Sequence, residues 1–369
     1  GWPAMHGELG VPVSYMGIVT MVISACTILS SLLSDRLTRA CGTPAVTIVS
    51  VLLTAGALLG FSFANAFWQL LLLALPYGLG AGAIDAALNN YVALHYKAKH
   101  MSWLHSFWGV GTIVSPFVMS YALTHATWHD GYRIVGYIQL AIGALLLLTL
   151  PVWKVNKATA EQKQKSVGLL GALKIRGVPF LLIGFFAYCA AEATAMGWAS
   201  TYFAEVKSVT AEQAAQLASL FYIGLTASRF LSGFISDKLG DRKMICIGAG
   251  ILLCGIALLF IPVSGALPVA AFVVIGFGCG PIYPCIIHST PANFGAENSG
   301  AIIGIQMASA YVGSTFLPPL YGALGSAVGF GILPFYLLFF VLLMIVMTEL
   351  TFRCTKQTRG LPPGISADR

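Results

Sequence analysis

Long apolar runs separated by short polar breaks constrain this chain more tightly than any motif it carries. A bilayer core about 30 Å thick takes roughly 20 apolar residues as a helix. Eleven stretches reach that length, near Val11–Leu33, Pro44–Ala64, Phe67–Tyr96, Ser102–Thr124, Tyr132–Trp153, Val178–Ala204, Ala211–Phe234, Met244–Val263, Leu267–Pro291, Ser299–Leu324 and Phe330–Phe352. The runs are long and unbroken rather than ten-residue alternations, which predicts helices and not barrel strands. Only 9% of residues are charged, against roughly 25% in an average globular chain. The mean hydropathy of +0.83 is one that no water-facing surface tolerates. The 40 glycines and 17 prolines sit within apolar stretches, as they do in transmembrane helices. A soluble enzyme, a disordered protein and a nucleic-acid binder are excluded. The fold class is an all-α polytopic membrane protein.

The net charge of +7 is then a matter of topology. With the Ser34–Thr43 loop in the cytoplasm and the spans alternating, all 20 Lys and Arg except Arg133, Lys207 and Arg229 fall in cytoplasmic segments. This positive-inside bias places the C-terminus in the cytoplasm, and the expected location is a bacterial inner or plasma membrane. The eight cysteines show no CxxC pair, and Cys26, Cys189, Cys246, Cys254, Cys279 and Cys285 fall in apolar runs, where they act as small hydrophobes. No disulfide framework, metal site or cofactor is expected. Neither a signal peptide nor a Walker loop is visible, and no catalytic triad or zinc ligand set occurs. An ATP-driven pump and a membrane enzyme are therefore disfavoured.

The polar stretch Lys154–Gly177 divides the spans into five and six. It predicts an N-terminal bundle over 1–153, a cytoplasmic linker over 154–177, a C-terminal bundle over 178–353 and a cytoplasmic tail over 354–369. A short amphipathic piece near Leu169–Arg176 suits the membrane surface. A repeat links the halves. Ser31-Leu-Leu-Ser-Asp35-Arg36-Leu-Thr-Arg39 and Gly233-Phe-Ile-Ser-Asp237-Lys238-Leu-Gly240-Asp241-Arg242-Lys243 share one pattern, each expected as a short cytoplasmic turn. The pattern follows the first span of one half and the second span of the other. Together with the odd span count, this leads to the expectation that a first helix precedes the sequence.

The paired loop, the six-plus-six plan and the central basic linker resemble the major facilitator superfamily of secondary transporters. In the first copy Ser31 and Thr38 replace the two glycines of the loop, which predicts a looser helix approach there. Gly80-Ala-Gly-Ala-Ile-Asp85-Ala-Ala-Leu-Asn89-Asn90-Tyr91, His105-Ser-Phe-Trp-Gly-Val-Gly111 and Gly278-Cys-Gly-Pro281-Ile-Tyr283-Pro284 resemble the fucose permease-like branch. The resemblance implies two six-helix bundles, a solute site near the bilayer midplane and alternating access by rocking of the bundles. It also implies a monomer whose partners are a small solute, protons and lipid. Asp85 stands where the branch usually has Glu.

Ionisable groups inside spans cost about 2.5–3.5 kcal/mol each on insertion scales, so they mark function. Asp85, Glu192 and Arg229 lie well inside; Glu349 sits near a helix end and suits the interface. Asp85 has Asn89 at i+4 on the same face, which suits a proton-coupling group. Glu192 is the second proton-coupling candidate, with Tyr188 at i−4, and Gly197 permits a helix break beyond it. Asn89, Asn90, His105, Trp108, Trp198, Tyr283 and Gln306 supply the flat apolar faces and directed hydrogen bonds that a sugar-sized solute needs. Each has a packing alternative: a helix tie for Glu192, a satisfied histidine for His105, core or lipid-facing aromatics for the rest. Asp35, Arg36, Arg229, Asp237, Arg242 and Glu297 fit gate charges at the cytoplasmic mouth. Uptake of a small polar solute leads; an efflux antiporter for amphipathic compounds and a non-transporting receptor or scaffold are the alternatives.

Overall fold

The computed structural model of the protein describes residues 1–153, 167–263 and 265–359. Residues 154–166 of the expected linker and 360–369 of the expected tail lie outside the described residues. No strand occurs among the described residues, and eleven helical segments are long and apolar enough to cross a bilayer. Each coincides with one of the eleven runs read from the sequence.

Two compact units are present, Gly1–Tyr91 with Val110–Ser166, and Val92–Gly109 with Val167–Arg369. The first holds a short helix α1 (Trp2–Glu8), α2 (Met16–Cys41), α3 (Thr43–Phe61), most of α4 (Phe67–His95), the later part of α5 (Ala98–His125) and α6 (Trp128–Leu148). One of its buried apolar clusters gathers Met5, Leu58, Phe61, Leu70 and Trp128. The start of α6 is set by a capping box, in which Thr127 and Asp130 satisfy each other's end of the first turn.

The second unit adds to the first turns of α5 the short α7 (Gly168–Lys174), which matches the expected amphipathic piece. It continues with α8 (Val178–Lys207), α9 (Ala211–Leu239), α10 (Asp241–Leu259), α11 (Ala266–Cys279), α12 (Ile282–Phe294), α13 (Ala296–Val328) and α14 (Leu333–Arg359). Helix α8 starts cleanly because Gly177 takes a left-handed conformation and a proline fills the first turn. Its buried face carries Phe185, Tyr188, Ala191 and Ala195. Large apolar side chains such as Leu148, Phe117 and Phe335 remain exposed, as a lipid-facing surface allows.

Four expectations about local structure are corrected. Ser34–Thr43 is not a loop: α2 runs to Cys41, and Gly42 alone connects it to α3. The second copy behaves alike, with α9 running to Leu239 and Gly240 as the sole connector. Helix α8 passes Gly197 unbroken, since one glycine costs only about 1 kcal/mol and its neighbours favour helix. The ninth span is two helices rather than one, broken at Gly280 and Pro281, where proline supplies no amide hydrogen to the ladder.

Candidate functional site

In the first unit, α2 lays a row of hydroxyls along the backbone of α4. Thr27 Oγ1 and Ser30 Oγ donate to the Gly78 carbonyl, Ser31 Oγ to Gly82 and Ser34 Oγ to Ala83, at 3.1–3.4 Å. A Cβ on Gly82 would overlap the Thr27 carbonyl oxygen, so the helices touch there through backbone. The expected looser approach at Ser31 is thus not found, because α4 supplies the glycine. One turn further on α4, Asn89 Nδ2 donates to Asp85 Oδ1 at 2.9 Å. Asn89 is buried, and Asn90 is half-buried on the neighbouring azimuth. The pair is the i, i+4 arrangement expected from the sequence.

In the second unit, five of the singled-out residues converge. Arg229 on α9 is buried and its Nη2 donates to Glu192 Oε1 on α8 at 2.7 Å. The guanidinium carbon lies 5.2 Å from the Trp108 ring centre and 5.8 Å from that of Tyr283, within cation–π range. The His105 ring meets Tyr283 edge-on at 4.8 Å. Tyr283 is delivered by the α11–α12 break. Such a break leaves carbonyls outside the helical ladder, and the Tyr188 hydroxyl donates to the one at Cys279, at 2.9 Å. Arg229 therefore stands with Glu192 and the aromatic rings instead of with Asp237. Two helical turns along α9 separate Arg229 from Asp237, about 12 Å.

The gate candidates divide. Asp237 Oδ1 accepts the backbone N–H of Lys99 at 3.2 Å, a carboxylate at the N-terminus of α5. Trp103 Nε1 donates to the Phe230 carbonyl at 3.3 Å, and its indole lies over Gly233, where a Cβ would overlap it. Asp35 instead pairs with Arg39 on its own helix at 2.6 Å, and Arg36 is exposed. Arg242 pairs with Glu349 at 2.9 Å, which in turn holds Arg353 at 3.0 Å. Glu297 sits in the first turn of α13, where its charge suits the helix dipole, and accepts from Asn298 Nδ2 at 3.4 Å.

Two solute-binding candidates are occupied with packing. Trp198 donates its indole N–H to the Pro318 carbonyl at 2.8 Å and packs on Tyr321 and Phe330. Gln306 is fully buried and accepts from Thr290 at 3.1 Å. Sequence reasoning missed the Asp241–His288 pair, in which His288 Nδ1 lies 2.8 Å from Asp241 and Nε2 lies 3.3 Å from the Tyr96 carbonyl. Both neighbours are acceptors, so an imidazolium, donating from both nitrogens, satisfies them together. A histidine near a span end and an acid in a following helix cap were the available signal.

Eleven apolar helices, charges paired inside them and a repeated helix–glycine–helix connector define a polytopic membrane protein, and the comparisons with known proteins specify which. The family model described as Major Facilitator Superfamily matches residues 1–286 and 208–367, and the chain belongs to that family. It is an integral membrane transporter and not an enzyme. Among curated proteins it is similar to the membrane protein MosC of Rhizobium meliloti, 24% identical over 328 residues, covering 86% of this chain and 76% of MosC. Among solved structures it resembles the E. coli fucose:proton symporter FucP, with a TM-score of 0.77 at 15% identity over 90% of this chain and 91% of FucP. It also resembles the proton:xylose symporter XylE, with a TM-score of 0.73 at 13% identity over 96% and 90% of the two chains.

Proposed function

We propose that this transporter takes up a monosaccharide or similarly small polar solute together with protons, by alternating access, in a bacterial inner or plasma membrane with its C-terminus in the cytoplasm. The observation that carries the reading is the Asp85–Asn89 pair held inside a span. A carboxylate placed there costs insertion energy that packing alone does not require, and it can take a proton at one face and release it at the other. The neighbouring amide holds the carboxylate in one orientation, and Asn90 adds a further polar group on that helix. The likeness to FucP, a fucose:proton symporter, and to XylE, a proton:xylose symporter, supports the same reading. Efflux of amphipathic compounds has one observation in its favour, a groove of about 740 Å³ lined by Phe203, Leu217, Pro268 and Val273. Phe203 lies eleven residues beyond Glu192 on α8, about 16 Å along the axis, so this groove is remote from the charged cluster and the reading ranks second.

Paired measurements on the same vesicles test the uptake reading. Moving one charge through 100 mV supplies about 2.3 kcal/mol, roughly a fifty-fold accumulation. Asp85→Asn keeps the size and mimics the protonated acid. It is expected to preserve counterflow without a proton gradient and to abolish uphill uptake. Loss of counterflow would make Asp85 a binding residue, and retained uphill uptake would move coupling elsewhere.

A further inference from the structure

The Arg229 guanidinium is buried, with a side-chain exposure of 4%, yet Glu192 engages it through one oxygen and one nitrogen. Its Nε is buried and has no hydrogen-bond partner among the described residues. The rings of Trp108 and Tyr283 lie against the guanidinium. A planar fork with an unused donor is the arrangement that takes a carboxylate in two parallel hydrogen bonds. Glu192 is a protein-borne example of that ligand, bound by half of what the fork offers.

Charge decides what can replace it. The Glu192–Arg229 pair is neutral as it stands, and a net charge in a buried site costs several kcal/mol. An anion arriving alone would leave the site at −1, and a proton alone would leave it at +1. A neutral solute that displaced Glu192 would leave a buried carboxylate without its partner, a loss of about 3–5 kcal/mol. One anion with one proton keeps the site neutral. The Arg229–Glu192 contact breaks, the solute carboxylate takes the fork, and a proton from solvent goes to the released Glu192 oxygen.

We infer that the solute carries a carboxylate, which binds Arg229 in exchange for Glu192 while Glu192 takes up the accompanying proton. This rests on the uptake reading above and specifies its substrate class as a small organic acid, with Arg229 as the residue that selects it. The Glu192 proton balances the solute's charge, and the Asp85 proton carries the net charge that drives uphill uptake. The titratable and charged groups around Glu192 are Tyr188 on its own helix, Arg229 and Tyr222 on α9 and Cys279 on α11. His105 on α5 and Tyr283 on α12 face Arg229. Of these types only Glu and His ordinarily titrate below about pH 8, and Glu192 is the one whose oxygen the exchange releases, so the proton goes there and His105 is the control.

The test uses purified full chain and matched solutes with and without the carboxylate: galacturonate against galactose, gluconate against sorbitol, and lactate against 1,2-propanediol. Calorimetry on the wild type should show at least one acid binding about tenfold or more tighter than its neutral partner. Its Kd should rise by about tenfold per pH unit once Glu192 is ionised in the free protein. Glu192→Gln should keep the acid bound and flatten that pH dependence, which a merely structural ion pair would not do. Arg229→Lys keeps the charge without the fork and should lose about tenfold or more in affinity for the acid. If that variant does not fold, the double variant Glu192→Gln with Arg229→Gln removes both charges and should abolish the preference for the acid. A preference retained in the double variant overturns the inference. So does a pH dependence that survives Glu192→Gln and disappears in His105→Gln. Neutral members bound and exchanged while the acids are not would sink the carboxylate inference and leave the uptake reading standing; binding of none of the six would overturn both.

Discussion

The two copies of the loop sequence reach the same kind of connector by different routes. In the first, helix α2 continues past Asp35 to Cys41, and Asp35 closes onto Arg39 one turn along. In the second, Gly240 stands at the position of Thr38, and α9 ends two residues after Asp237. Asp241 stands where the first copy has Arg39, so Asp237 meets no cation at i+4 on its own helix. It reaches instead to the Lys99 amide of α5. The glycines trade places as well. At the first crossing Gly82 on α4 faces hydroxyls on α2, and at the second Gly233 on α9 itself faces Trp103. The lesson is that an aspartate works locally or between elements according to what stands four residues on. A close crossing needs one small residue, and either helix can provide it.

The largest contrast should come from the two glycines. Gly82→Ala drives a methyl group into backbone, whereas Gly233→Ala meets an indole that can turn away. Losses of about 3 and about 1 kcal/mol are expected, read as melting in detergent. Equal losses would erase the distinction. A smaller contrast concerns the aspartates. Asp237→Asn should weaken a charge-assisted cap by about 1 kcal/mol, and Asp35→Asn a half-buried i, i+4 pair by about 0.3–0.5 kcal/mol. Hydrogen exchange over residues 97–102 should quicken about five-fold in the first variant and stay as in the wild type in the second. The reverse order would show that the first copy, not the second, holds the start of α5.

The smallest effect concerns another carboxylate that leaves its own helix. Glu8 accepts from Trp128 Nε1 at 2.6 Å and meets His129 Nε2 at 2.9 Å. The bonds from His129 and then Trp128 hold its carboxyl below the ordinary 4.5. A depressed acid stabilises the folded state above that value, and the contribution is lost as pH falls through the lowered one. Docking of α1, followed by amide exchange of residues 2–9, should weaken as pH falls below about 4.5. Glu8→Gln should remove this acid-side loss, and a wild type whose docking is unchanged below that pH would refute the assignment.

The spans were legible because insertion length is a one-dimensional property, and the helix ends were not. Past Leu33 the sequence turns polar, yet Asp35 and Arg39 support one another at helical spacing, so the helix ends only at Gly42. The Asp85–Asn89 pair was legible for the same reason, since i, i+4 neighbours lie on one face by construction. The Glu192–Arg229 pair joins residues 37 apart on two helices, and no local rule pairs them. The available signal was that two opposite charges each costly alone in a span cost less together. Trp198 and Gln306 stood out because their polar tips sit in apolar runs. The Pro318 carbonyl takes the Trp198 N–H and Thr290 donates to the Gln306 carbonyl oxygen, while the Gln306 Nε2 has no partner among the described residues.

The connectors Gly42 and Gly240 adopt φ of 84° and 77° with ψ of 152° and 157°, a region essentially closed to residues with a Cβ. A single residue bridges only about 3.8 Å between consecutive Cα atoms. The joint therefore has no spare length. A displacement of the end of α9 is carried directly to the start of α10, and the same holds for α2 and α3. Each helix pair is a crank whose elbow is one glycine, and lengthening that elbow by two or three residues would uncouple its arms without touching a single buried charge.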